Sequence, residues 1–236
     1  MNKKAIWTGL CLGCVLWFSA QNAWCRDFEG TVRMNGIPKP RYGGVQPQER
    51  QACGGIIKKV DNLIVGQNGE LKNAVVWVEG DFSAAEIARA GKNLSPASVV
   101  IDQTRCQFEP RVVLISPGGE VFFRSMDPVM HHVAGYFPNG KIFFENILKD
   151  QNTVVRRSFD QPGPYLMRCG FHPWMGAVVY VRKHPFYAVT DEKGKYKISG
   201  APNGNYRLAV WHETLGQREF AVNSGGITDV VFDRPK

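Results

Sequence analysis

Beyond its first two dozen residues, the sequence lacks an apolar run long enough to cross a bilayer. It has no Walker-type phosphate loop, no zinc-protease helix motif and no Cys-x-x-Cys-His haem attachment site. Three common routes to nucleotide, peptidase and cytochrome chemistry are thereby closed. Acidic residues are in the minority, 21 Asp and Glu against 29 Lys and Arg, for a formal charge of +8. The basic residues are scattered, so nucleic acid is not implied, while an acidic partner fits the surplus. Strong helical periodicity is scarce, and only Phe82 to Ala90 reads as a helix, opened by Asp81 or Ser83 and stopped by Gly91.

What is present points to strands. Of the 236 residues 44% are apolar, enough for a sizeable core, and 25 Gly and 14 Pro sit among many Val, Phe and Tyr. Phe28 to Met34 alternates and ends in the Asn35-Gly36 turn, and Pro38 to Gln51 reads as a polar loop. Strands are expected at Ala74–Val78, Val99–Asp102, Val112–Ile115, Val121–Phe123, Asn152–Phe159, Gly163–Arg168 and Ala177–Val181. Five more short candidates follow His184-Pro185. The fold class is therefore all-β, a Greek-key sandwich with a smaller β-sandwich behind it.

Lys3 and Lys4 precede an apolar stretch from Ile6 to Ala20 that continues to Ala23, the form of a signal peptide. This predicts a signal over 1–23, a main domain over 24–183 and a second unit over 184–236, with the chain exported to the periplasm. Membrane association would follow only if the N-terminal segment were retained or lipidated at Cys14. In an oxidising compartment thiols tend to pair, and Cys53 with Cys106 is the expected disulfide. Spacing alone does not fix that connectivity. Cys25 is left as free, paired or lipid-related.

The chemistry concentrates in Cys169-Gly-Phe-His172-Pro-Trp-Met175. A thiolate, an imidazole and a thioether share one short loop, and His131-His132 offers a second imidazole. Two imidazoles and a thiolate with a weak axial thioether are the ligands of an electron-transfer copper site. Consecutive histidines on a strand face opposite ways, so at most one of His131 and His132 points at a shared ion. Taken singly, Cys169 reads as a small buried hydrophobe and Met175 as core; their joint spacing is what suggests ligands.

These residues carry a resemblance. The loop resembles the copper-binding loop of the cupredoxins, with amicyanin-like Cys-x-x-His-x-x-Met spacing. Asp127-Pro-Val-Met-His131-His132-Val133 resembles the segment that holds the family's earlier histidine ligand. The resemblance implies a cupredoxin-like sandwich with His131, Cys169, His172 and Met175 as ligands of one type 1 copper ion. It places His132 where the family usually has asparagine. It also implies single-electron carriage, with His172 as the edge toward solvent, between partners such as an exported c-type cytochrome or a periplasmic dehydrogenase. The segments Leu71–Trp77, Cys106–Pro110 and Ala188–Gly194 through Glu213 resemble exported methylamine-utilisation-type proteins. In these a cupredoxin-like domain precedes a carboxypeptidase-regulatory-like (transthyretin-like) sandwich. Four protein ligands leave no open position, so no enzyme is expected. Other readings are a non-redox interaction or scaffold protein with a degenerate cupredoxin fold, and a copper storage or delivery protein.

Overall fold

The computed structural model describes residues 25–92, 98–222 and 226–233, so the expected signal segment and Cys14 lie outside the described residues. In chain order the first strands are β1 (Cys25–Met34), β2 (Tyr42–Gly44), β3 (Ile57–Lys59), β4 (Val75–Glu79), β5 (Ser98–Thr104) and β6 (Gln107–Glu109). The middle strands are β7 (Val112–Ile115), β8 (Gly119–Ser125), β9 (His131–Tyr136), β10 (Ile142–Leu148), β11 (Val154–Phe159) and β12 (Gly163–Arg168). The last are β13 (Gly176–Val181), β14 (Tyr187–Val189), β15 (Lys195–Pro202), β16 (Arg207–His212), β17 (Gly216–Ala221) and β18 (Val230–Phe232). Two short helices, α1 (Arg50–Cys53) and α2 (Ala84–Arg89), complete the described elements, with a 3-10 turn over Pro47–Glu49 leading into α1.

Four sheets pack face to face, and side-chain parity shows how. The orders are β11-β8-β5-β6, β10-β9-β12-β13-β7, β14-β4-β16-β17 and β15-β1-β18, with a separate β2-β3 hairpin. In β13 every residue is buried, because the strand is covered on both faces. Ala177, Val179 and Val181 point into the core shared with Ile101, Phe108, Val121 and Phe123 of the first sheet. Val178 and Tyr180 point the other way, against Val75, Trp77 and Ala209 of the third. Strand β4 repeats the pattern, with Val76 and Val78 turned to a further core around Phe28, Val32, Phe186 and Ile198. The continuous apolar runs at 74–78 and 177–181 thus belong to strands in inner layers.

The described residues are almost entirely β, with sandwich-like packing of the sheets. The sheets do not divide at His184. β1 pairs with β15 antiparallel and with β18 in parallel, while β4 is flanked by β14 and β16. Residues of the first third therefore build the same sheets as those after 184, because five short strands cannot close a core alone.

Local chemistry accounts for the elements. Ser83 caps α2 by accepting from the Glu86 amide, and the Glu86 carboxylate accepts from the Ser83 amide, a reciprocal capping box. Strand β10 carries no clean alternation in its Ile-Phe-Phe-Glu-Asn-Ile-Leu sequence, and the sequence pattern does not mark it. It is a half-exposed edge strand held by its pairing to β9. The stretch 38–51, read as loop, contains β2, the whole 3-10 turn and the first residues of α1.

One buried ion pair joins the inner layers. Arg111 donates to the Glu213 carboxylate and, at 2.6 Å, to the Gly176 carbonyl at the start of β13. Both side chains are nearly buried, at 9% and 6% exposed, and Arg168 adds a second contact to Glu213 at 3.2 Å. Glu213, which the sequence would allow on the surface, is instead a clamp between sheets. Glu213→Ala leaves Arg111 buried without a counter-charge and is expected to cost about 3–5 kcal/mol, read by urea unfolding. A loss below 1 kcal/mol would show the clamp to be dispensable.

Candidate functional site

The site begins at a tight turn. Between β5 and β6 the chain reverses at Arg105 and Cys106, both in left-handed backbone with φ of 48° and 55°. Neither residue is glycine, so the conformation needs support from outside. The Asp127 carboxylate supplies it, accepting from the Arg105 amide at 2.6 Å and the Cys106 amide at 2.8 Å. The same carboxylate lies 2.9 Å from Nε2 of His131, the first residue of β9. One buried aspartate therefore fixes a turn and an imidazole together.

The second half of the site is the loop between β12 and β13. The Met175 amide donates to the His172 carbonyl at 2.9 Å, which closes the loop into a turn. Trp174 buries its ring and donates from Nε1 to the Cys106 carbonyl at 2.8 Å, so the loop is sewn to the turn across from it. His172 is 1% exposed, with Nδ1 3.5 Å from the Cys169 sulfur and Nε2 3.3 Å from Oε2 of Glu49.

His131, Cys169 and His172 converge, each offering a donor atom within 4.8 Å of the other two. Nε2 of His131 is committed to Asp127, while its Nδ1 is buried and has no hydrogen-bond partner. A buried polar nitrogen left open in this way is costly unless something occupies it. His132 faces outward and takes a different role. Its amide donates to the Cys169 sulfur at 3.5 Å, its Nδ1 accepts from the Gly170 amide at 3.2 Å, and its Nε2 lies 3.4 Å from Glu145. It ties the two segments together from outside the cluster. Met175 is buried in the same loop, with its backbone holding both ends.

The electrostatics favour a thiolate. Burial raises the Cys169 thiol pKa, but the rings of His131 and His172 and the amides of His132 and Phe171 outweigh it and bring it down to about 5. Burial works against a charged His131, and Asp127 and the Cys169 sulfur more than reverse this. Asp127 is pushed up by burial and drawn lower overall by His131 and the two turn amides. His184 and His212 stand apart, each depressed to about 4 by burial and then by Arg182 and Arg111 respectively. Both are packed histidines, and neither belongs to a donor cluster among the described residues.

Cys53 and Cys106 form a disulfide, closing a loop of 53 residues in sequence separation. Its sulfurs lie within 4.8 Å of a ring nitrogen of His172, and the Cys106 sulfur also groups with Asp127 and His131. Cys25 and Cys169 are the free cysteines among the described residues.

This geometry corrects the electron-carrier expectation. Two of the three cysteine sulfurs grouped with these imidazoles are bonded to each other, so they are not ligating thiolates. The disulfide instead walls the pocket. His172, expected to present its ring edge to solvent, is buried with that edge against Glu49. The donors brought together are those of His131, Cys169 and His172. A type 1 copper protein with resident copper, passing single electrons through an exposed histidine edge, is therefore not the reading this site supports.

No family model matches the chain, and no curated protein matches it. Partial likeness exists to the copper-containing nitrite reductase of Thermus scotoductus SA-01, at 25% identity over 39% of this chain, with a TM-score of 0.34. The chain spans 24% of that reductase. A purple cupredoxin from Nitrosopumilus maritimus is similar at 24% identity over 36% of this chain and 99% of its own, with a TM-score of 0.33. Amicyanin from Paracoccus versutus is similar at 21% identity over 45% and 97%, with a TM-score of 0.34. This is distant, partial similarity to the cupredoxin fold in the broad sense, and it carries nothing about the chemistry of the site.

The depressed thiol makes a pH prediction. The unfolded thiol binds its proton below its ordinary pKa of about 8.5 while the folded one holds none until about pH 5. Stability from this group is thus complete above the unfolded value, falls as pH drops through the window between them, and is gone below the folded one. The difference in absorbance near 240 nm between the chain and its Cys169→Ser variant should titrate with a midpoint near 5. A midpoint above 8 would remove the thiolate from the description.

Proposed function

We propose that the protein is a non-enzymatic, exported holder of a soft metal ion taken as cargo, the storage or delivery alternative to electron carriage. The single observation that carries the reading is the convergence of His131, Cys169 and His172, with a buried Nδ1 on His131 that lacks a hydrogen-bond partner of ordinary geometry. A thiolate and two imidazoles select soft and borderline ions, and the Met175 thioether in the same loop would add a soft donor. The outer ring nitrogens rest on carboxylates of Asp127 and Glu49, the supporting pattern that orients imidazoles toward a metal. No electron need leave the pocket, so its burial suits retention. Such a reading requires no cytochrome or dehydrogenase; the partner would be a donor or acceptor of the ion. The transthyretin-like character expected after 184 fits a packing or docking role beside the holder.

The test is copper(I) supplied to the disulfide-intact chain in competition with a chromophoric chelator. One ion per chain should bind, and Cys169→Ser should weaken binding by about a hundredfold or more. His131→Ala should weaken it while His132→Ala, outside the cluster, changes it little. A folded chain that takes up no ion, or takes it up equally well without Cys169, would leave the interaction or scaffold reading in its place.

A further inference from the structure

We infer that the segment from Gln46 to Gly55 is a cap over the Cys169 pocket, that Glu49 is its latch, and that Glu49 governs how fast the pocket exchanges with solvent. The inference deepens the proposed function and rests on it for the identity of the cargo. For access it rests on geometry alone.

The cap is pinned at its far end and held lightly near the pocket. After the 3-10 turn Pro47–Glu49, α1 brings Cys53 into the core, where the disulfide bonds it to Cys106. Gly54, at φ 76°, ends the helix with its amide donating to the Arg50 carbonyl, and Lys58 donates to the Cys53 carbonyl at 2.9 Å. On the other side Val45 is buried in the core, its amide bonded to the Ile56 carbonyl at 2.9 Å. Gly43 passes so close to Trp174 that a Cβ there would come within 2.4 Å of the ring. The flanks are thus fixed by a covalent bond, a core side chain and a close backbone approach.

Between these anchors Gln46, Pro47, Gln48, Arg50 and Gln51 are exposed, and the 3-10 turn buries no residue. Glu49 and Ala52 are half-buried, and Glu49, its side chain 22% exposed, sets its carboxylate 3.3 Å from Nε2 of a histidine that is 1% exposed. A segment with few buried contacts and fixed ends opens locally at low cost. The Glu49–His172 contact is the polar link described between that segment and the pocket, so it sets the opening equilibrium. It also acts on the ring: with Nε2–H donated to Glu49, Nδ1 faces the Cys169 sulfur. Glu49 is therefore a positioning residue whose loss changes rates of entry and exit more than affinity.

The test compares the full chain with Glu49→Ala and Glu49→Gln, the disulfide left intact. In metal-free protein, alkylation of Cys169 by iodoacetamide, followed by peptide mass spectrometry, should run about tenfold faster in Glu49→Ala. Glu49→Gln keeps an oxygen acceptor and should stay within about threefold of the parent. Copper(I) transfer from the loaded chain to a chelator should quicken in the same order, with equilibrium affinity moved less than the rate. Equal alkylation rates in all three chains would overturn the cap. Faster alkylation in a chain that binds no copper(I) would keep the cap and overturn the cargo.

Discussion

Two imidazoles turn one nitrogen each toward a buried sulfur because two carboxylates occupy the nitrogens on the far side. Asp127 holds His131 and Glu49 holds His172, and they come from different parts of the chain, one from the β8–β9 connection and one on a surface segment. Remove either and its ring loses the partner that fixes its orientation and tautomer. The convergence of donors depends on this arrangement, while the low thiol pKa comes from hydrogen bonds that the two rings and the amides of His132 and Phe171 direct at the sulfur. Burial alone would drive the thiol the other way.

The frame that makes such a pocket rigid is the stacking of sheets. Strand β13 leaves the Cys169–Met175 loop and enters a layer covered on both faces, so its first residues cannot shift without disturbing two cores. Arg111 fastens the same point to Glu213 across the next layer. Trp174 fastens the loop sideways to Cys106, whose turn is in turn held by Asp127. The loop is over-determined, and a strained pair of left-handed residues persists at Arg105 and Cys106 because the surroundings require it.

Much of this was legible in the sequence, and the parts that were not share a cause. The strands at 74–78, 112–115, 163–168 and 177–181 show as apolar or alternating runs because burial imposes a pattern on adjacent residues. Ser83 with Glu86 marks a helix start because capping acts over three positions. The Cys169, His172 and Met175 spacing shows because one loop holds them, and the choice of His131 over His132 needed a resemblance to a family. Glu49 was invisible. It lies 123 residues from His172 in a polar, proline-containing stretch, and nothing in its neighbours marks a residue that folds onto a distant loop. For the same reason His172 read as an exposed edge. Strand β10 was missed because its pattern comes from pairing rather than burial, and Glu213 because a long-range partner, not its own neighbours, buries it.

The covered histidine is what separates holding from passing. An electron carrier brings a ligand edge to the surface so that a partner can approach it, and its site opens no further. Here the corresponding ring is enclosed by a carboxylate, a disulfide wall and a segment anchored at both ends. That enclosure lengthens any path to an external partner while raising the barrier to loss of whatever the donors hold. The disulfide fits this division of labour, since it fixes where the covering segment is rooted without contributing a ligand. The soft donor set determines what can be kept, and the covering segment, hinged on its covalent root, determines how long.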